Sequence, residues 1–190
     1  MKITIFSLKG GVGKTMIAIN LALNLNYELA TNEVFIPLEE IIKGIEIKKI
    51  LPEGKFDTGK NQTIFDLGGY ADKRIEEIIS ISDFCIVPVV NESELSVKVS
   101  LNSLQICSAI NKNTVVVLNK FNAREDAGFL HFLRDNFKNE IFPIKFSKGF
   151  QSDNNILELA EKNKFFSYLY KEPAAQFKKL LNRLTVEADK

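Results

Sequence analysis

The chain has 190 residues, 45% hydrophobic and 26% charged, a size and balance that suit one soluble globular domain with a substantial core. Lys plus Arg number 25 against 24 Asp plus Glu, a net charge of +1, which excludes strong bulk attraction to nucleic acid but not a local basic patch. No apolar run approaches the ~20 residues of a membrane span.

Met1-Lys2-Ile3-Thr4-Ile5-Phe6 runs straight into a glycine-rich loop without a signal-peptide cleavage region. Cys85 and Cys107 lack metal-type spacing and sit in apolar contexts, so two buried free thiols in a reducing cytoplasm are expected.

Short β-branched runs alternate with longer amphipathic segments, which predicts an α/β fold with a mainly parallel, doubly wound sheet covered by helices on both faces. Expected strands are Lys2 to Ser7, Glu33 to Pro37, Thr63 to Asp66, Phe84 to Val89, Thr114 to Asn119 and Ile141 to Phe146. The first helix follows the glycine-rich loop to about Asn26. Others are expected over Asp72 to Ile81, Glu94 to Ile110, Arg124 to Phe137, Asn155 to Lys162 and Pro173 to Leu184.

In the last of these Phe177, Leu180, Leu181 and Leu184 share one face, and Pro173 is placed in the first turn. Glu39 to Leu51 reads as an amphipathic helix covering the sheet or as a partner-binding element. Pro52 to Gln62 is the clearest loop. With no repeat and no linker, residues 1–190 are expected to form a single domain.

Lys9-Gly10-Gly11-Val12-Gly13-Lys14-Thr15 joins the first strand to the first helix. Glycines there let successive N–H groups turn inward onto phosphate oxygens, and the helix N-terminus adds partial positive charge. Lys14 is expected on the β- and γ-phosphates, with the Thr15 hydroxyl on Mg²⁺. The loop departs from G-x-x-x-x-G-K-[ST], because Leu8 stands where the first glycine belongs. Asn119, at a strand end on the same rim, could touch the base edge. The N-K-x-D guanine reader is incomplete, since position 122 is Asn, which favours ATP. Lys120 either stacks its stem on the base or is a plain surface lysine.

The Lys9-Gly-Gly-Val-Gly-Lys-Thr loop resembles the deviant Walker A motif of the ParA/MinD ATPases. Gly13-Lys14-Thr15-Met16-Ile17-Ala18-Ile19-Asn20-Leu21-Ala22 is similar to the first helix of ParA-type partition proteins. Thr63-Ile64-Phe65-Asp66-Leu67-Gly68-Gly69 looks like their Walker B strand and switch. Ser82-Asp83-Phe84-Cys85-Ile86-Val87-Pro88-Val89 resembles their next strand, and the chain is most similar to small single-domain ParA proteins.

The resemblance implies a P-loop NTPase that binds ATP with Mg²⁺ and forms a homodimer around the nucleotide. It implies Lys9 reaching the partner's phosphates, Lys14 and Asp66 in catalysis, and Thr15 and Asp66 at the metal. It also implies a nucleotide-binding set running from Lys9, Gly10, Gly11, Val12 and Gly13 through Lys14, Thr15 and Met16, together with Asn119. Read without the resemblance, Lys9 is a loop charge and Asp66 a strand-end residue.

The family's Asp-x-Asp-Pro stretch is not visible. Its expected place is Val34 to Glu40, where Glu39 or Glu40 would have to stand in for the aspartate that positions the attacking water. Nucleotide binding is therefore expected more firmly than hydrolysis.

The leading expectation is a nucleotide-dependent switch in plasmid or chromosome partition. A ParB-like partner would drive release, and DNA would be held non-specifically, giving a nucleoid-associated location. A basic patch of Lys145, Lys148, Lys171, Lys178, Lys179 and Arg183 would make the DNA contact. The alternatives are an ATP-bound dimer scaffold without appreciable turnover and a MinD-like positioning ATPase. The latter is disfavoured because the tail lacks a clear basic membrane anchor. His131 is given no role.

Overall fold

The computed structural model describes residues 1–33, 35–51, 61–68, 74–151, 155–162 and 167–186. Seven strands form one sheet: β1 (Lys2–Phe6), β2 (Glu28–Thr31), β3 (Ile47–Lys49), β4 (Thr63–Leu67), β5 (Phe84–Val89), β6 (Thr114–Phe121) and β7 (Ile141–Lys145). Their order is β3-β2-β4-β1-β5-β6-β7, and every pairing is parallel. The helices are α1 (Lys14–Leu25), α2 (Leu38–Ile41), α3 (Arg74–Ile81), α4 (Glu94–Ile110), α5 (Ala127–Asn136), α6 (Ile156–Lys162) and α7 (Ser167–Val186).

Alternation along the strands feeds two cores, one on each face. Ile3, Ile5, Ile64, Ile86, Val115 and Val117 meet residues of α1 and α7 on one side. Phe6, Phe65, Leu67, Cys85, Val87 and Val116 meet α3 and α4 on the other. A strand buried on both faces must be apolar throughout, and β5 and most of β6 are. Cys85 and Cys107 are both buried free thiols, and burial pushes the Cys85 thiol up, with Cys107 adding to the rise. In α7, Phe177, Leu180 and Leu184 are completely buried and Leu181 nearly so. That apolar face belongs to the core and is not available to a membrane surface.

Four expectations need correction. The second strand is Glu28–Thr31, and Phe35 and Ile36, read as its centre, are exposed. Glu39 to Leu51 is not one helix: a single turn, α2, gives way to edge strand β3. Gly44 takes a left-handed φ of 90° between them, which breaks the helical repeat, and Ile45 and Ile47 then favour extended backbone. Pro173 lies inside α7, not in its first turn. Helix α5 starts at Ala127 after a turn in which Asp126 Oδ2 accepts from the Asn122 N–H at 2.7 Å. Most of the expected loop at 52–62, Gly69 and the expected helix start at Asp72 lie outside the described residues.

Candidate functional site

A parallel sheet with helices on both faces leaves crevices at the carboxyl ends of its strands, which is where ligands bind in such folds. Here a cavity of about 320 Å³ opens on that rim, lined by Gly10, Gly11, Gly13, Lys14, Thr15, Met16, Glu33, Asn119, Lys120, Lys145, Phe146 and Ser147. The sheet order places the ends of β2 and β4 on one side of the loop after β1. It places the ends of β6 and β7 on the other.

The loop is shaped by left-handed glycines, Gly11 at φ 76° and Gly13 at φ 90°, conformations that a side chain would disfavour. Gly13 has a second constraint: a Cβ there would run into the Asn119 amide. Asn119 Nδ2 donates to the Val12 carbonyl at 2.8 Å, and Val12 is fully buried. This contact crosses from β6 and pins the loop's curvature. One N–H of the Asn119 amide is thus committed to the loop, while the residue still lines the cavity. A bulge between Leu118 and Phe121 and a left-handed Lys120 (φ 56°) distort the strand end that carries it.

Helix α1 begins at Lys14 with no side-chain cap on its first turn, so its orphan N–H groups face the cavity as an anion cradle. The Lys14 ammonium, largely buried, lies 3.5 Å from the Lys9 carbonyl. Lys9 itself is half-buried and folds its ammonium onto the Gly10 carbonyl at 3.1 Å, outside the cavity lining.

Asp66 stands behind Thr15. It is completely buried at the end of β4. Its Oδ2 accepts from the Thr15 hydroxyl at 2.8 Å and the Thr31 hydroxyl at 3.2 Å, while Oδ1 has no partner among the described residues. Burial raises its pKa to about 6 against the pull of Thr15, Lys14 and Thr31, and Glu33 adds slightly to the rise. A buried carboxylate with an orphaned oxygen fits a divalent cation. The described residues contain no group of three His, Cys, Asp or Glu side chains suited to a metal, so the cation would arrive with phosphates as its other ligands.

The segment leaving β2 is Thr31-Asn32-Glu33, just ahead of the Val34 to Glu40 stretch in which a water-positioning carboxylate was expected. Thr31 sits at the strand end and Glu33 is the only acidic side chain lining the cavity among the described residues. Asn32 grips Gly68 at the end of β4, accepting from its N–H at 2.7 Å and donating to its carbonyl at 3.3 Å. Glu39 instead pairs with Lys49 at 3.4 Å, and neither Glu39 nor Glu40 reaches the cavity. Glu33 was hidden from sequence reading because the strand boundary before it was misplaced; its spacing from a correct β2 would have found it. Phe146 and Ser147, in the loop after β7, were also missed.

Within the expected basic patch, Lys145 pairs with Glu172 at 2.7 Å. Arg183 pairs with Glu140 and lies over the Phe84 ring at 5.3 Å from its centroid. Lys148, Lys171, Lys178 and Lys179 are exposed. His131 is a surface residue beside Asp135.

The parallel sheet, the glycine loop opening α1 and the rim cavity define a P-loop nucleotide-binding fold. Solved structures narrow it to the ParA/MinD-like P-loop ATPase fold. A plasmid partition protein from Borrelia burgdorferi B31 bound to AMPPNP matches with a TM-score of 0.60 at 18% identity, over 94% of this chain and 98% of that one. The MinD cell division protein of Aquifex aeolicus matches at 0.61 and 17%, over 95% and 97%. A chain of the MinC:MinD complex from the same organism matches at 0.58 and 16%, over 95% of each. At these identities the likeness establishes the fold. No protein-family profile matches the sequence, and no curated protein matches it significantly.

Proposed function

We propose that the chain binds ATP with Mg²⁺ and works as a nucleotide-dependent dimer switch of the ParA/MinD kind, in the service of DNA partition. The observation that carries this reading is the uncapped start of α1 beside Lys14 and the Thr15–Asp66 contact, all at one rim cavity. The AMPPNP bound to the Borrelia relative supports the choice of an adenine nucleotide.

In this reading the amides of residues 10–15 hold the phosphates, and Lys14 neutralises charge on the β- and γ-groups. Thr15 and Asp66 hold the cation, which supplies further charge neutralisation when bound. Lys9 makes only a single contact with a neighbouring carbonyl, so its ammonium can be redirected to a second copy's phosphates at little cost.

Sizing and equilibrium binding with a non-hydrolysable ATP analogue test the reading. The wild-type chain is expected to bind and to double in mass, and Lys14→Ala to do neither. A wild-type chain that ignores the analogue sinks it.

A second reading is an ATP-bound dimer scaffold with little turnover. Thr31 favours it, because a hydroxyl already engaged with Asp66 cannot accept a proton from water as a carboxylate would. Glu33 favours hydrolysis. Phosphate release with wild type and Glu33→Gln separates the two readings. A switch releases phosphate and loses about tenfold or more with Gln, whereas a scaffold releases essentially none in either form.

A further inference from the structure

The two ends of the cavity differ in what they offer a ligand. At the loop end, the largely buried Lys14 ammonium contacts the Lys9 carbonyl at 3.5 Å beside the uncapped start of α1. At the far end, Lys120 is paired with Glu92 at 2.6 Å and Lys145 with Glu172 at 2.7 Å. Those two lysines therefore bring neutralised heads and apolar stems to the cavity. Between them sits Phe146, half exposed, on the cavity wall.

An exposed phenylalanine on a loop needs something to hold it in place, and here both chain neighbours are anchored. The Lys145 N–H donates to Gln176 Oε1 of α7 at 2.7 Å. Ser147 is buried, and its hydroxyl accepts from the Gly149 N–H at 3.2 Å. The Phe146 backbone is thus pinned on each side while its ring remains open to the cavity.

The geometry points to Phe146 as the platform on which the nucleobase stacks. This rests on the reading of the loop as a phosphate cradle, since the phosphates fix which end the base must occupy. A flat π-face beside neutralised lysine stems suits a planar heterocycle and offers nothing to a phosphate. Asn119 gives one amide N–H to Val12, and Glu92 and Glu172 are paired with lysines, so the contact that Phe146 adds for the base at this end of the cavity is stacking.

The test is equilibrium binding of ATP and of inorganic tripolyphosphate, each with Mg²⁺, to wild type, Phe146→Ala and Phe146→Trp. Wild type is expected to hold ATP more tightly than tripolyphosphate. Alanine should weaken ATP by about tenfold or more and leave tripolyphosphate unchanged, while tryptophan keeps ATP within about threefold of wild type. The proposal is overturned if alanine leaves ATP binding intact, or weakens both ligands equally. It is also overturned if wild type binds ATP no better than tripolyphosphate, or if tryptophan loses ATP as alanine does. A wild-type chain that binds neither ligand defeats the phosphate-site reading and this one with it, whereas intact tripolyphosphate binding keeps the former standing.

Discussion

Asp66 carries the largest local cost in the site. Its carboxyl is fully buried with one oxygen unpartnered, and its pKa is raised from 3.8 to about 6. The folded state therefore binds a proton more readily than the unfolded chain does. The associated destabilisation is absent below the unfolded value, grows as pH rises, and is complete above about 6. A shift of this size corresponds to ~3 kcal/mol at neutral pH. Asp66→Asn, which keeps the shape and cannot ionise, is expected to raise the stability of the nucleotide-free protein at pH 7.5 by about 1–3 kcal/mol. Urea titrations at pH 7.5 and pH 5 should show that advantage shrinking at the lower pH. Mg²⁺-dependent ATP binding should weaken in the same variant. A difference from wild type that is pH-independent would mean that the Asp66 carboxyl has the same pKa in the folded and unfolded states.

Between residues and fold lie the joints that hold elements in place, and Asn20 is the clearest. Fully buried on α1, it donates to the Met16 carbonyl at 3.0 Å and accepts from the Ile156 N–H at 2.9 Å, capping the start of α6. One turn on, Asn24 donates to Asn155 Oδ1 at 3.0 Å. Asn20→Ala strands the buried Ile156 N–H and is expected to cost about 1–3 kcal/mol in a urea titration, whereas Asn24→Ala, at a half-buried contact, should cost less. Neither joint is visible in the sequence, where both asparagines read only as polar positions of an amphipathic helix. The strands β5 and β6 were legible because their apolar runs are continuous, as double burial demands, and β1, β4 and β7 because β-branched and aromatic residues dominate them. Strand β2 was not: Glu28-Leu29-Ala30-Thr31 has a weak strand signature, and its ladder partners β3 and β4 hold it extended. Glu28, at its buried start, is paired with Lys48 of β3 at 2.9 Å. The three-residue edge β3 carries Lys48 and Lys49, charges that discourage further strand addition. The glycine loop that opens α1 was readable because it depends on local backbone chemistry, and the places of Glu33 and Phe146 on the cavity wall were not because they depend on how distant strands end.

At the scale of the whole molecule, a net charge of +1 rules out simple bulk attraction as the basis of DNA binding. Several cations on the α7 side are already compensated, Lys145 by Glu172 and Arg183 by Glu140. Among the described residues on that side, the remaining exposed lysines of the expected patch are a modest set, Lys148, Lys171, Lys178 and Lys179. Too few phosphate contacts are available there for tight binding by one subunit, since each released counterion contributes only a small, salt-dependent increment. Joining two copies around nucleotide would double the set on one object and multiply the affinities if both faces reach the same duplex. DNA binding is therefore expected to require ATP and to be lost steeply between about 50 and 200 mM salt. Lys178→Ala with Lys179→Ala should reduce both the affinity and the salt slope without altering ATP binding. Fluorescence anisotropy of a labelled duplex, with and without a non-hydrolysable ATP analogue, measures all three. ATP-saturated protein that ignores DNA at low salt would remove partition from the reading and leave the nucleotide switch to act on another cargo.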